Sequence, residues 1–327
     1  MKAQLVAVQA RMQPADYHDT ASFRAKILAL TYGAVDGLGE GPRLLAFPEL
    51  IGFPLLMLDE PEALRAGSVA QAIRLLLQKH RRELISVMAG RQLGLLGALY
   101  ALRAVPAYLA YRDAFVAAAK AAQATVVAGS ILLPHIEEEA ARGVHLVGRR
   151  VYNTAFSFGP HGGVLNRTRK CYLMPNEARS GLSRGAIEQL SGFETPLGRV
   201  GVAICLDGFY SSVIERFDGL GVAVVVQPSA NPAEWTRRWP PNPALSEGAA
   251  WLSLGLRQQL QGRLYLRYGV NPMLVGDLLG LSLRGRSSLV VNASFQPDVG
   301  LEGHQGLLAI APSDREEAFV RAEIALG

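Results

Sequence analysis

Short apolar runs bounded by turn residues recur along the chain, at Gln4–Gln9, Arg43–Phe47, Thr125–Leu132, Arg199–Cys205 and Val222–Val226. Runs of this length between Gly, Pro, Asn and Ser predict core strands. Between them the period lengthens. Tyr17–Thr31 carries Phe23, Ile27, Leu28 and Leu30 at helical spacing, and a short helix is expected at Ser211–Phe217. Strand–helix–strand alternation predicts an α/β layer structure, in which the carboxyl ends of strands are the usual place for ligands and chemistry. Val151–Phe158 and Gly163–Thr168 predict a hairpin around Gly159–Gly162, with acidic Glu137–Glu139 in a loop before it. A helix at Leu252–Leu266 and strands at Tyr268–Val275, Ser287–Ala293, Gly306–Ile310 and Ala318–Ile324 close the chain. No period marks repeats and no long linker divides residues 1–327, so one domain is expected.

The stretch 59–123 reads as mostly helical. Residues 84–111 are unusually apolar, broken by Arg91 and Arg103, softened by Gly94 and Gly97, with Pro106 placed to kink or end a helix. A membrane span needs roughly 20 predominantly apolar residues, and the two arginines argue against one. A peripheral membrane contact, a cover over a pocket and a subunit interface are the readings of this segment.

Composition narrows the class. Half of the 327 residues are apolar and 19% are charged, which is a globular balance. The net charge of +5 is spread over short clusters such as Lys79–Arg82, Arg149–Arg150 and Arg167–Lys170, which read as solvated faces and not as a nucleic-acid surface. Two cysteines, Cys171 and Cys205, make no disulfide framework and fit a reducing, cytoplasmic setting. The opening residues are too short and too polar for a signal peptide. The six histidines are scattered, so neither a metal nor another cofactor is expected.

Three polar groups stand where chemistry would be expected. Glu49 follows the strand ending at Phe47, Lys170 follows the hairpin, and Cys205 ends a strand. A buried carboxylate is costly unless paired or raised in pKa, and a cysteine in an apolar run can equally be a small buried hydrophobe. As a set the three are chemically consistent. Lysine lowers a thiol pKa and donates toward an oxyanion, and a carboxylate takes the thiol proton. Cys171, beside Lys170, reads as packing.

The residues Pro48-Glu49-Leu50, Arg169–Glu177, Gly201–Asp207 and Gln227–Pro232, in that order, resemble the motifs of the nitrilase superfamily, the carbon–nitrogen hydrolases. The resemblance implies a four-layer α-β-β-α sandwich, beside whose plain form residues 62–110 are an extra, mostly helical insertion, homodimers or higher homo-oligomers, and a catalytic set of Glu49, Lys170 and Cys205. It also implies a supporting Glu177 near the lysine and an oxyanion contact from the Leu206 N–H. Hydrolysis of an amide through a cysteine thioester is the expected activity, with nitrile or N-carbamoyl hydrolysis, or an inactive interaction protein on the same fold, as alternatives. Leu206-Asp207 does not match the tryptophan–glutamate pair of the nitrile-cleaving branch. Tyr172 stands where the family often has histidine, and Asp207-Gly208-Phe209 lacks a commonly found arginine. That loss argues against a carboxylate-bearing substrate and favours an apolar or uncharged amide. Phe53, Tyr172, Asp207, Phe209, Asn231 and Trp235 are the candidate pocket residues, with the loops Phe53–Leu58 and Trp235–Pro243 shaping the cavity.

Overall fold

Two-residue periodicity divides the strand residues between opposite faces, and three apolar cores result. In the computed structural model, which describes residues 2–139 and 141–325, Leu44 faces one core and its neighbour Leu45 another. The same alternation separates Val224 and Val226 from Val225. The first core joins one sheet to the helices Thr20–Val35 and Leu95–Ala122. The second lies between the two sheets, and the third joins the other sheet to the helices Ser211–Gly219, Glu247–Leu254 and Leu256–Gln259. The layers are therefore helix, sheet, sheet, helix, the expected α-β-β-α sandwich.

The first sheet has ten strands. At its centre Lys2–Arg11 pairs in parallel with Arg43–Ala46 and antiparallel with Ala318–Ala325. Thr125–Val127, Gly143–Phe158 and Ile131–Glu139 continue outward, and Val164–Arg169 forms the expected hairpin with Gly143–Phe158. The second sheet has six strands, in the order Leu307–Ile310, Ser288–Val291, Tyr268–Asn271, Val224–Val226, Gly198–Val202 and Phe193–Thr195.

Several boundaries differ from expectation. The run Tyr268–Val275 is two strands in different sheets: Tyr268–Asn271 pairs with Val224–Val226, while Met273–Leu278 pairs with Lys2–Arg11. Pro272 lies at the crossing. The run Thr125–Leu132 is broken at residues 128–130. Gly129 there has φ +73, and a Cβ on it would meet the Pro48 carbonyl. Glu137–Glu139 belong to the strand Ile131–Glu139 and not to a loop. The strand before Cys205 stops at Val202, and Cys205 opens a 3-10 turn, Cys205–Phe209. Leu252–Leu266 is helical only as far as Gln259. Beyond it Asp218 accepts the N–H groups of Leu264, Tyr265 and Leu266.

Helices Pro61–Leu64, Val69–Lys79, Arg81–Arg91 and Leu95–Ala122 fill the predicted helical stretch. The last passes through Pro106 without ending, because its burial of Ala104, Ala107, Tyr108, Tyr111 and Phe115 outweighs one lost backbone bond. Among the described residues no single helix is long and apolar enough to cross a membrane. Arg81–Arg91 and Leu95–Ala122 reach that length and composition only as a pair bent by 101°.

Candidate active site

The turn after the strand Arg43–Ala46 is held from outside itself. Phe47 donates to the Val127 carbonyl at 2.8 Å, Leu50 to Ser130 Oγ at 2.9 Å and Gly52 to the Ser130 carbonyl at 3.0 Å. This grip carries Leu50 at φ +59 and turns Glu49 inward, where it is 2% exposed. Its Oε1 accepts Lys170 Nζ at 2.8 Å and Asn153 Nδ2 at 2.9 Å, and its Oε2 accepts the Ala230 N–H at 3.2 Å. Burial raises the Glu49 pKa, Lys170 opposes the rise, and Glu177 adds to it.

Lys170 follows the strand Val164–Arg169. Its N–H donates to the Asn153 carbonyl at 2.9 Å, and its carbonyl accepts the Gly185 N–H at 2.7 Å. Nζ donates to Glu49 and to both oxygens of Glu177, the latter at 2.9 Å. Burial alone would lower its pKa. Glu49, Cys205 and Glu177 together outweigh burial and raise it, so Lys170 stays charged. Glu177 is fixed in turn by the Met174 N–H at 2.7 Å, ahead of the short helix Pro175–Arg179.

Cys205 sits at φ +51, a left-handed backbone that a residue with a Cβ adopts only when its surroundings impose it. Its N–H donates to the Pro228 carbonyl at 2.8 Å, and its carbonyl accepts Gln227 Nε2 at 2.6 Å. The Gln227 side chain occupies the space a Cβ on Gly208 would need. Sγ lies 4.0 Å from the Ala230 carbonyl. Burial pushes the thiol pKa well above its usual value, with Glu49 adding to the rise and Lys170 opposing it. The expectation that lysine would lower this pKa is thus outweighed: the resting group is a thiol facing a carboxylate.

A cavity of about 500 Å³ opens over Cys205. Of the candidate pocket residues, Phe209 and Asn231 line it, as does Leu206. The other four do not. Phe53 packs into the core beneath the long helix. Trp235 packs on Gly248. Tyr172 stands one layer back, stacked on the wall residue Tyr210 at 3.6 Å with its hydroxyl on Ser212. Asp207 is fully buried and accepts the N–H groups of Cys171 and Tyr172 at 2.7 to 3.1 Å, which ties the Lys170 segment to the Cys205 turn. Burial holds its pKa up, to about 7, against those donors. No residue of 62–110 lines the cavity, so the expected cover is not formed by that segment, nor does Phe53–Leu58 shape it.

Sequence reasoning missed Asn153, Glu247 and Trp251; Trp239 lines the cavity from the loop Trp235–Pro243 expected to shape it, and Gln227 opens the motif Gln227–Pro232 without a role assigned from sequence. Asn153 left a signal, an amide close to the apolar residues Val151, Ala155 and Phe156 of its strand. Glu247 left none, since one carboxylate on a helix reads as solvated. Elsewhere, Glu137, Glu139 and His145 bring potential ligand atoms within 4.8 Å of one another on an open sheet edge, the kind of acidic group common without an ion. Cys171 is buried in the third core, as packing requires.

The model of the carbon–nitrogen hydrolase family matches residues 5–243. Omega-amidases of Xenopus tropicalis and Danio rerio are 32% and 34% identical over 114 residues, or 28% of this chain. The chain spans about two fifths of the length of these curated relatives. A carbon–nitrogen hydrolase from Helicobacter pylori superposes with a TM-score of 0.61 at 16% identity, covering 100% of this chain and 89% of that one. A nitrilase superfamily member of Saccharomyces cerevisiae gives 0.59 at 16% identity, covering 98% and 89%. An amidase from Nesterenkonia, seen with an acetamide moiety covalently added at its active-site cysteine, gives 0.55 at 16% identity, covering 99% and 90%. At these identities the structural likeness bears on the fold.

Proposed function

The chain belongs to the carbon–nitrogen hydrolase family, and from that premise we propose that it cleaves a non-peptide amide C–N bond through a thioester on Cys205. One observation carries the reading: Lys170 Nζ is held within 2.9 Å of both Glu49 and Glu177, and Glu49 reaches the N–H of Ala230, the residue that lines the cavity beside Cys205. An ammonium so fixed beside a thiol and a carboxylate has little structural purpose, because a buried charge network is no stronger than apolar packing.

Cys205 Sγ attacks the amide carbon while its proton passes to Glu49, so the S–C bond forms without a free thiolate waiting in a buried site. Negative charge gathers on the amide oxygen, where Lys170 Nζ and the Leu206 N–H stabilise it. Glu49 then gives its proton to the nitrogen, the C–N bond breaks, and ammonia or an amine leaves. A water that loses its proton to Glu49 attacks the thioester. The C–S bond breaks, and the proton returns to sulfur. Glu177 and Asn153 are positioning residues that hold Lys170 and Glu49 in register.

The test is an ammonia-release screen over aliphatic and aromatic amides, omega-amides, N-carbamoyl amino acids and nitriles. Cys205→Ala is expected to abolish turnover with an unchanged circular dichroism spectrum, and intact mass of the wild type is expected to show an acyl adduct during turnover. Turnover surviving in Cys205→Ala overturns the mechanism.

A further inference from the structure

Among the residues lining the cavity over Cys205, one bears a carboxyl group: Glu247, at the start of the helix Glu247–Leu254. It is 9% exposed. One carboxylate oxygen accepts Trp251 Nε1 at 3.3 Å. Among the described residues no lysine or arginine pairs with it, and Arg237 acts only through its more distant charge. Burial raises its pKa. Leaving an ionisable group in a cavity wall with one weak neutral donor is unfavourable unless something completes it.

The surrounding wall is aromatic. Phe209, Tyr210, Trp239 and Trp251 all line the cavity, and Phe209 meets Trp251 edge to face at 4.9 Å. Aromatic faces beside a carboxylate attract cations. The other polar side chains that could orient a substrate are neutral amides: Asn231 donates to the Ala233 carbonyl and accepts its N–H, each at 3.2 Å, Gln259 donates to the Leu254 carbonyl at 3.3 Å, and Gln258 lies beside it. At the reacting end the balance has the same sign. Lys170 is shared between two carboxylates, leaving no cation for an acid-bearing substrate.

Resting on the hydrolase reading above, we infer that Glu247 and the aromatic wall form a specificity subsite for a positively charged group, so that the substrate is an amide whose acyl chain ends in an ammonium or guanidinium. This replaces the expectation of an apolar or uncharged substrate. The earlier argument against a substrate carboxylate stands, and now has a repelling group as its cause.

The test uses primary amides of matched length ending in ammonium, methyl or carboxylate, with spacers of two to six methylenes. In the wild type, kcat/KM is expected to favour ammonium over methyl by about tenfold or more, as for a charge-assisted bond in a buried site, with carboxylate poorest. Glu247→Gln is expected to bring the ammonium-to-methyl ratio close to one, and Glu247→Lys to favour carboxylate. A wild type indifferent to the terminal group overturns the subsite, as does a ratio that survives in Glu247→Gln. Binding of the same amides to Cys205→Ala, read by tryptophan fluorescence, separates the two proposals. Preferential binding of the cation without turnover in the wild type upholds the subsite and overturns hydrolysis. Turnover without preference does the reverse.

Discussion

Water scarcely reaches Glu49, and burial lifts its pKa above the ordinary 4.5, with Glu177 adding to the lift and Lys170 opposing it. In the proposed mechanism this carboxylate must be ionised to take the Cys205 proton, so kcat/KM is expected to fall on the acid side through a pKa above 4.5. The thiol and Lys170, both raised, do not titrate near neutrality, so no alkaline fall is expected there. Glu177→Gln removes one negative charge and leaves Lys170 to pair with Glu49 alone. Both changes lower the Glu49 pKa, so the acid limb should move to lower pH. A limb that stays in place would mean that Glu177 only props the loop. The Glu49, Lys170 and Cys205 positions were legible in the sequence because each falls at a recognisable element end and each residue type has a defined chemical use, whereas Glu177 came only from the family resemblance. Asn153 and Glu247 were not, because the direction of a side chain inside a strand or helix is decided by packing. Asp207 misled for a related reason: a carboxylate two residues past a candidate nucleophile suggests a substrate contact, whereas here the backbone N–H groups of Cys171 and Tyr172 claim it.

At the level of elements, Arg103 illustrates how one residue changes meaning. Along the chain it is an interruption in an apolar run. In the fold it reaches from the long helix to the turn Phe53–Met57, donating Nε to the Leu56 carbonyl at 3.1 Å and NH2 to the Leu58 carbonyl. That turn follows directly from the one that aims Glu49. Arg103→Leu leaves two carbonyls without their donor and is expected to cost about 2 kcal/mol, measured by urea unfolding. Exposed Arg91→Leu, on the neighbouring helix, should stay within about 0.5 kcal/mol of the wild type. Equal losses in the two would show that Arg103 has no bracing role. The element map was otherwise readable from periodicity, and it failed where a tertiary partner cuts a continuous apolar run. Gly129 and Ser130 interrupt one strand to clasp the Pro48 turn, and Pro272 splits another between sheets. Neither partner is adjacent in sequence, so no local window could reveal the break.

Across the whole molecule, the site lies on the seam between the two sheets. Glu49, Asn153 and Ala230 come from strands of the first sheet or the turns after them, and Cys205 from a turn after the second. Their spacing is therefore set by the inter-sheet core and not by the helical layers. Leu289 in that core and Ile27 in the first helical core are both 0% exposed. Truncating either to Ala should cost about 2–5 kcal/mol, read from denaturant midpoints. Their effects on catalysis should diverge. Well below both melting temperatures, Leu289→Ala lets the sheets shift and moves Cys205 relative to Glu49. A displacement near 1 Å costs on the order of 10²-fold in rate, so even partial relaxation should lower kcat measurably. Ile27→Ala unsettles a helix that touches neither partner, so kcat per folded molecule should match the wild type. Equal kcat values in the two variants at matched folded fraction would mean that the segment clamps at Ser130, Gln227 and Asp207 alone fix the geometry, with the sheet spacing irrelevant to it.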